Sequence, residues 1–169
     1  MIIKRIILAM SILMLAGCSG NGGHVASSGQ LSPVPPVKPA VVTRKQSAPT
    51  LLDALYAQYR QWQGTPWRYG GNSASGLDCS AFTQRVYAQQ FGRQLPRTTE
   101  QQQRLGKVIT QADLQAGDLV FFRPAGRGRH VGVYLENGLF MHVSTRVGVT
   151  ISKLKSPWWQ SAYWKSTRP

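Results

Sequence analysis

The chain has 169 residues, 42% of them hydrophobic, which suits one domain with a modest core once a leader and a linker are set aside. It carries 20 Lys and Arg against 6 Asp and Glu, a formal net charge of +14. Such a field favours anionic partners. Because no recognisable nucleic-acid-binding module accompanies it, the sequence argues against a nucleic acid and indicates an acidic extracytoplasmic polymer or a membrane.

Residues 1–17 have the pattern of a signal peptide. Lys4 and Arg5 precede an apolar run over residues 6–16 that is too short to span a bilayer comfortably. The run ends in Leu15-Ala16-Gly17-Cys18, which resembles the bacterial lipobox. The resemblance implies cleavage before Cys18, lipid on its sulfur and on the new amino terminus, and, because Ser19 is not Asp, export to the outer membrane of a Gram-negative bacterium. A plain secretory signal or an uncleaved anchor is the alternative.

Residues 18–49 are predicted to be a disordered tether. They are rich in Gly, Ser and Pro and lack the apolar periodicity of a folded element. A tether of this kind lets a lipid-anchored domain reach a layer that lies off the membrane. The folded domain is predicted at residues 50–169, and it opens with a helix that begins after Thr50, has Asp53 in a capping box and ends at Gly64.

The stretch over residues 69–82 is a glycine-containing loop that delivers Cys79 to the first turn of a helix. Asp78 is the predicted N-cap, and Gly92 supplies a left-handed stop. A sulfur at a helix start lies in a positive field that favours the thiolate. The amide of Cys79, helped by the hydroxyl of Tyr69, is a candidate oxyanion donor. The alternatives are a buried structural cysteine and a disulfide with the other cysteine of the chain.

Farther along the chain the pattern changes from helix to strand. A short helix is predicted over residues 99–105 with Thr98 as its N-cap. The segment 118–123 then opens a run of strands. Two strands at residues 130–135 and 139–144 are joined by Glu136-Asn137-Gly138, which is typical of a hairpin. A further strand is predicted over residues 147–151.

The hairpin register places two histidines side by side. A three-residue loop ending in a left-handed glycine pairs Val133 with Met141 and makes one face of the hairpin wholly apolar. His130 and His142 then lie on the opposite face as diagonal neighbours, about 7 Å apart at the backbone. Gly132 leaves room beside them.

The C-terminal segment 157–164 is rich in aromatic residues. The favoured interpretation is a flap that closes over the core. A platform for sugar rings or for a membrane interface is the alternative.

Three side chains form a set suited to nucleophilic acyl transfer. Cys79 is the candidate nucleophile, His130 the candidate base, and His142 the residue that holds the first imidazole. The same three side chains suit a catalytic zinc, but no close-spaced ligand pair is present, and neither a metal nor another cofactor is expected. Taken singly, either histidine is explained as an ordinary sheet residue with satisfied hydrogen bonds.

Five ordered motifs resemble the NlpC-type papain-like cell-wall peptidases, over roughly residues 50–165. They are Tyr69-Gly70-Gly71, Asp78-Cys79-Ser80-Ala81-Phe82, Leu95-Pro96-Arg97-Thr98, Gly117-Asp118-Leu119-Val120-Phe121-Phe122 and His130-Val131-Gly132-Val133-Tyr134. The resemblance is strongest to the small outer-membrane lipoprotein members, although Ala81 stands where glycine is common. It implies an α+β papain-like domain in which N-terminal helices, one bearing the cysteine, pack on an antiparallel sheet. By the same resemblance Cys79, His130 and His142 are catalytic, and Tyr69, Asp78 and Ser80 line the pocket.

The expected function is therefore that of a lipid-anchored cysteine endopeptidase of peptidoglycan. The resemblance leaves two bonds open, the D-alanyl–diaminopimelate cross-link and the γ-D-glutamyl–diaminopimelate stem bond, with a slight preference for the cross-link. The protein is expected to be a monomer on the periplasmic side of the outer membrane, with peptidoglycan and the membrane as its partners. The alternatives are a non-catalytic tether between outer membrane and wall, an adaptor for other hydrolases, and a papain-like amidase or transamidase that acts on lipids.

Overall fold

The computed structural model describes residues 48–169, which form helices packed on an antiparallel sheet. The predicted mixed α+β fold, with N-terminal helices on the sheet, is confirmed. The signal peptide, the lipid at Cys18 and nearly all of the predicted tether lie outside the described residues. Within residues 48–169, no helix combines the length and the apolar character that crossing a membrane requires.

Four α-helices and one short 3-10 helix (Gln111–Asp113) occur in this range, and caps explain where the first two α-helices begin. The α-helices are α1 (Leu51–Trp62), α2 (Cys79–Phe91), α3 (Thr99–Gln102) and α4 (Pro157–Ala162). The predicted capping box of α1 is present, because Thr50 and Asp53 each accept from the other's backbone N–H. The helix α2 has Asp78 as its N-cap and ends at Gly92 with a φ of 60°, as predicted.

The third helix is shorter than predicted. It ends at Gln102, whereas the sequence pattern extends to residue 105. After Gln102 the backbone tightens, because Arg104 N–H donates to the Gln101 carbonyl and Leu105 N–H to the Gln102 carbonyl. These bonds span three residues and not four, so the segment continues as turns.

Eight strands form a small hairpin and a six-stranded sheet. The hairpin consists of β1 (Asn72–Ser73) and β2 (Gly76–Leu77). The sheet contains β3 (Lys107–Ile109), β4 (Leu119–Phe122), β5 (His130–Tyr134), β6 (Leu139–Ser144), β7 (Gly148–Lys153) and β8 (Tyr163–Arg168). Its order is β3-β8-β4-β5-β6-β7, and every pairing is antiparallel.

The central hairpin has the predicted register. Val133 pairs with Met141, and Leu139 N–H closes the loop by donating to the Glu136 carbonyl. Both Asn137 (φ 49°) and the following glycine (φ 77°) adopt left-handed conformations. This turn is therefore the three-residue loop that the alternation of apolar residues requires.

Two strands of the sheet, β3 and β8, were not predicted. The strand β3 is mostly exposed and only three residues long, so it has little apolar alternation to reveal it. The C-terminal strand β8 is inserted between β3 and β4, which joins segments that are far apart in the sequence. The strand β7 starts at Gly148 and extends to Lys153, two residues beyond its predicted end.

The sheet separates two apolar cores. The first core lies between α1, α2 and the sheet, and includes Leu55, Phe82, Val131 and Met141. The second core lies on the other face, where α4 covers it, and includes Val120, Phe122, Phe140 and Ala162. Each fully buried Phe stabilises the fold by about 1.5–3 kcal/mol. The C-terminal segment therefore closes over a core, as the favoured interpretation predicted.

Candidate active site

Cys79 lies at the start of α2, where Asp78 fixes the entry of the chain. The N–H of Ala81 donates to Asp78 Oδ1 at 2.8 Å, so the carboxylate occupies one of the free donors of the first turn. The sulfur of Cys79 lies 3.6 Å from Thr99 Oγ1 on α3. The backbone N–H of Val131, the residue after His130, also points at the sulfur. Cys79 thus lies between α2, α3 and the start of β5.

The electrostatic state of this sulfur differs from the prediction. Burial raises the pKa of the Cys79 thiol above its ordinary value, and the hydrogen bonds from Thr99 and Val131 only partly oppose that effect. The expectation of a stabilised thiolate at a helix start is therefore wrong for the unliganded protein. The reason is that the side chain belongs to the first core, where loss of hydration outweighs the hydrogen bonds to the sulfur.

The two predicted histidines are in direct contact. Nε2 of His130 lies 3.0 Å from Nδ1 of His142, and the two rings are nearly perpendicular. His142 is only 1% exposed. Both side chains lie on the face of the sheet opposite the first core, as the register predicts.

Trp159 covers this histidine pair. Its ring centroid lies 4.7 Å from that of His142 and 5.4 Å from that of His130, and His142 also stacks on Phe140 at 5.0 Å. Burial lowers the pKa of His130 to about 4. The pKa of His142 is also lowered, first by burial and then by the neighbouring His130. Both imidazoles are therefore neutral near pH 7, so each ring keeps one nitrogen with a free lone pair that can accept a proton.

Asp78 belongs to a second polar cluster with Arg97 and Ser80. Arg97 donates to both carboxylate oxygens, at 2.9 and 2.6 Å, and Ser80 Oγ donates to Oδ1 at 3.0 Å. Burial alone would raise the pKa of Asp78, but the hydrogen bonds from Arg97, Ala81 and Ser80 bring it below its ordinary value. Asp78 is therefore an ionised residue that both caps α2 and orients Arg97.

All six predicted site residues of the described range line one cleft of about 1400 Å³. They are Tyr69, Asp78, Cys79, Ser80, His130 and His142. Tyr69 is 89% exposed at this cleft, and its predicted oxyanion role remains a prediction. The seventh predicted residue, the lipidation site Cys18, lies outside the described range.

The polar groups of the cleft suit acyl transfer at an anionic substrate. Four arginines line the cleft against a single acidic residue, Asp78. Arg97 is paired with Asp78, and Arg129 is paired with Glu100. Among residues 48–169, no three His, Cys, Asp or Glu side chains are arranged to hold a metal ion, which is what the zinc alternative requires.

Sequence reasoning missed three residues of the site. Arg97 and Thr99 fall in or beside a quoted motif but received no role, and Trp159 was treated only as part of an aromatic segment. Only the partner of Asp78 had a local signal in the sequence. An N-cap carboxylate in a chain with few acids and many arginines indicates that an arginine pairs with it. The contacts of Thr99 and Trp159 arise from packing between distant segments, and the sequence carries no local sign of them.

Comparison with known sequences identifies relatives of this domain. The sequence model of the NlpC/P60 family matches residues 64–168. Over 111 residues the chain is 46% identical to "Murein DD-endopeptidase MepS/Murein LD-carboxypeptidase" of Escherichia coli K12, a match that covers 66% of this chain and 59% of that relative. It is 37% identical over 164 residues to "Probable endopeptidase NlpC" of the same organism, covering 96% and 97% of the two chains. The chain thus spans less than two thirds of the first relative and nearly all of the second.

A solved structure has the same architecture. The crystal structure of an NlpC/P60 family protein from Bacillus cereus superposes with a TM-score of 0.62 at 30% identity. The superposition covers 72% of this chain and 41% of that protein.

Proposed function

The chain belongs to the NlpC/P60 family, and on this premise we propose that it is a cysteine endopeptidase that hydrolyses peptide bonds in peptidoglycan. The observation that carries the proposal is the 3.0 Å contact between the rings of His130 and His142, in the same cleft as Cys79. A nucleophile, a base and a residue that orients the base are the parts that covalent acyl transfer requires.

The reaction begins from a neutral pair. His130 accepts the thiol proton of Cys79 as the sulfur attacks the carbonyl carbon of the scissile peptide, and the carbonyl oxygen becomes the oxyanion of a tetrahedral intermediate. Collapse of this intermediate breaks the C–N bond, and the departing amine takes the proton from His130. Water then attacks the thioester with His130 as base, which releases the acid product and restores the thiol.

The raised pKa of the Cys79 thiol and the low pKa of His130 favour this order of events. Together they hold the resting proton on sulfur. In the proposed mechanism His130 takes this proton as the sulfur attacks. The imidazolium that forms is stabilised by its contact with His142.

The charge of the cleft supports a substrate with free carboxylates. Arg127 and Arg146 line the cleft along with the two paired arginines. Stem peptides of peptidoglycan carry carboxylates on D-glutamate and on diaminopimelate, and a basic cleft attracts them. Of the two candidate bonds we favour the D-alanyl–diaminopimelate cross-link, because the relative at 46% identity bears the name murein DD-endopeptidase.

The location of the protein is also part of the proposal. A lipidated Cys18 would anchor the chain in the outer membrane, and residues 18–49 would let the domain reach the wall from the periplasmic side. Peptidoglycan and the membrane are then the two partners of a monomeric enzyme.

Digestion of purified sacculi tests the activity. The protein should convert cross-linked muropeptide dimers into monomers with intact stems, whereas cleavage of the stem bond would yield disaccharide-dipeptides. Cys79→Ala is the inactive control, and Cys79→Ser keeps the size of the side chain with a poorer nucleophile. If the intact protein releases no new muropeptide from several wall preparations, the enzymatic proposal is wrong. Restoration of a deletion phenotype by Cys79→Ala at equal abundance would favour the tether or adaptor.

A further inference from the structure

His142 has a second partner, Ser152, on the side of its ring away from His130. Its Nδ1 faces His130, and its other ring nitrogen, Nε2, lies 2.9 Å from Ser152 Oγ on β7. The strands β6 and β7 pair His142 with Thr150, so Ser152 is the next residue along β7 on the same face of the sheet. Three side chains from three adjacent strands therefore form one hydrogen-bonded row.

The burial of His142 makes this bond important. His142 has 1% of its surface exposed, and Phe140 and Trp159 pack against its ring. A buried ring nitrogen that loses its partner carries the full cost of desolvation. The hydroxyl of Ser152 is the partner that the structure provides.

The position of one proton in this row decides whether His130 can act as a base. A neutral imidazole carries its proton on one nitrogen only. For Nδ1 of His130 to be free for the thiol proton, its Nε2 must carry the proton and donate it to Nδ1 of His142. Nδ1 of His142 must then be bare, so the proton of that ring resides on Nε2. There it needs an acceptor, and Ser152 Oγ is in place to accept it.

We propose that Ser152 is a positioning residue of the reaction, which holds the proton of His142 on Nε2 and thereby keeps His130 in the tautomer that accepts a proton from Cys79. The proposal rests on the proposed peptidase function for its kinetic consequences, whereas the hydrogen bond itself does not depend on a substrate. Serine suits the role because its hydroxyl is neutral. A carboxylate at the same place would favour imidazolium and would oppose the neutral pair.

Three variants of the full-length protein, purified in detergent, test the kinetic consequence. Ser152→Ala removes the acceptor and should lower kcat for a defined cross-linked muropeptide by about 10- to 100-fold, with KM nearly unchanged. Ser152→Thr keeps a hydroxyl and should recover most of the loss. Ser166→Ala is the matched control, because it removes another hydroxyl from the same sheet, one that is 0% exposed and bonds Tyr163 at 2.7 Å. It should lower stability without a comparable loss of kcat.

The tautomer itself can be measured without substrate. Imidazole ¹⁵N shifts report which ring nitrogen is protonated, and the chain has only three histidines to assign. In the wild type the proton of His142 should be on Nε2, and in Ser152→Ala a substantial share should move to Nδ1. A folded Ser152→Ala protein with kcat within twofold of the wild type would overturn the proposal.

The tautomer readout also separates this proposal from the proposed function. A wild-type signal showing His142 protonated on Nδ1 would overturn the role of Ser152 even if Ser152→Ala fails to fold. If the wild type cleaves no peptidoglycan, the proposed function fails, and the ¹⁵N spectra still decide whether Ser152 holds the tautomer.

Discussion

Mild acid is expected to destabilise the fold through His130. Its pKa falls from the ordinary 6.5 to about 4 in the folded protein because Phe122, His142 and Trp159 pack around the ring and remove water from it, although the residue stays partly exposed at the cleft. Between pH 6.5 and about 4, His130 is therefore protonated in the unfolded chain but stays neutral in the folded chain. The neutral ring stabilises the folded state fully above pH 6.5, and this contribution is lost as the pH falls toward 4.

The size of the effect follows from the two pKa values. At about 1.4 kcal/mol for each pH unit, a fall from 6.5 to about 4 corresponds to about 3 kcal/mol in total. About 2 kcal/mol of this is lost by pH 5. A domain of this size has a free energy of unfolding of about 5–15 kcal/mol, so the loss is large enough to measure.

Urea titrations between pH 7.5 and 4.5 provide the assay, with His130→Gln as the control. Glutamine retains hydrogen-bonding groups but has no proton to gain in this range. The wild type should lose about 2 kcal/mol more than the variant between pH 7.5 and 5. The lowered pKa of Asp78 acts only below its ordinary 3.8, so it does not contribute in this window. Parallel curves for the two proteins would refute the claim that desolvation keeps the His130 ring neutral in the folded protein.

Other substitutions test the remaining contacts of the site. The rate at which iodoacetamide alkylates Cys79 should rise with a pH midpoint above the ordinary thiol pKa of 9.0. Thr99→Val should raise this midpoint further, because a hydrogen bond to the sulfur is lost. A midpoint below 9.0 in the wild type would contradict the raised pKa. In urea titrations, Arg97→Gln should lower the free energy of unfolding by about 1–3 kcal/mol, since it removes the ion pair of the half-buried Asp78 carboxylate and leaves it only the bonds from Ser80 and Ala81. Asp78→Asn in the same chain should recover part of the loss. An unchanged stability would show that the ion pair contributes nothing. Gly132→Ala should reduce both the release of muropeptides and the melting temperature, because the added Cβ would lie 2.8 Å from the carbonyl oxygen of Met141 on β6. Wild-type activity of this variant would argue against so close an approach of the two strands.

The histidine pair could be predicted from the sequence because a hairpin register depends on local information. Apolar residues alternate along both strands, and the left-handed Gly138 sets the loop length. Together these two features fix which residues share a face. The only additional requirement is space beside the rings, and Gly132 supplies it, since a Cβ there would lie 3.2 Å from that of His142.

The state of the sulfur could not be predicted in the same way. A helix start and an N-cap are local features, and both were identified correctly around Cys79. Burial is a property of how α2, α3 and β5 pack together, and it reverses the direction of the pKa change. The same limit applies to Thr99, whose contact with sulfur joins residues twenty positions apart, and to β8, which enters the sheet between strands distant in sequence.

The division of the site between two cores explains its resting chemistry. Cys79 belongs to the core under α2, whereas His142 lies on the opposite face of the sheet against Phe140 and Trp159. The two sides share one cleft, and the N–H of Val131, the residue after His130, is a hydrogen-bonding partner of the sulfur. Packing on each face of the sheet removes water from the group that lies there. The Cys79 thiol therefore keeps its proton, and the imidazoles of His130 and His142 remain neutral. Oxidation of cysteine follows thiolate character and exposure. A buried, protonated thiol is therefore less prone to oxidation than an exposed thiolate, which suits the extracytoplasmic location we propose.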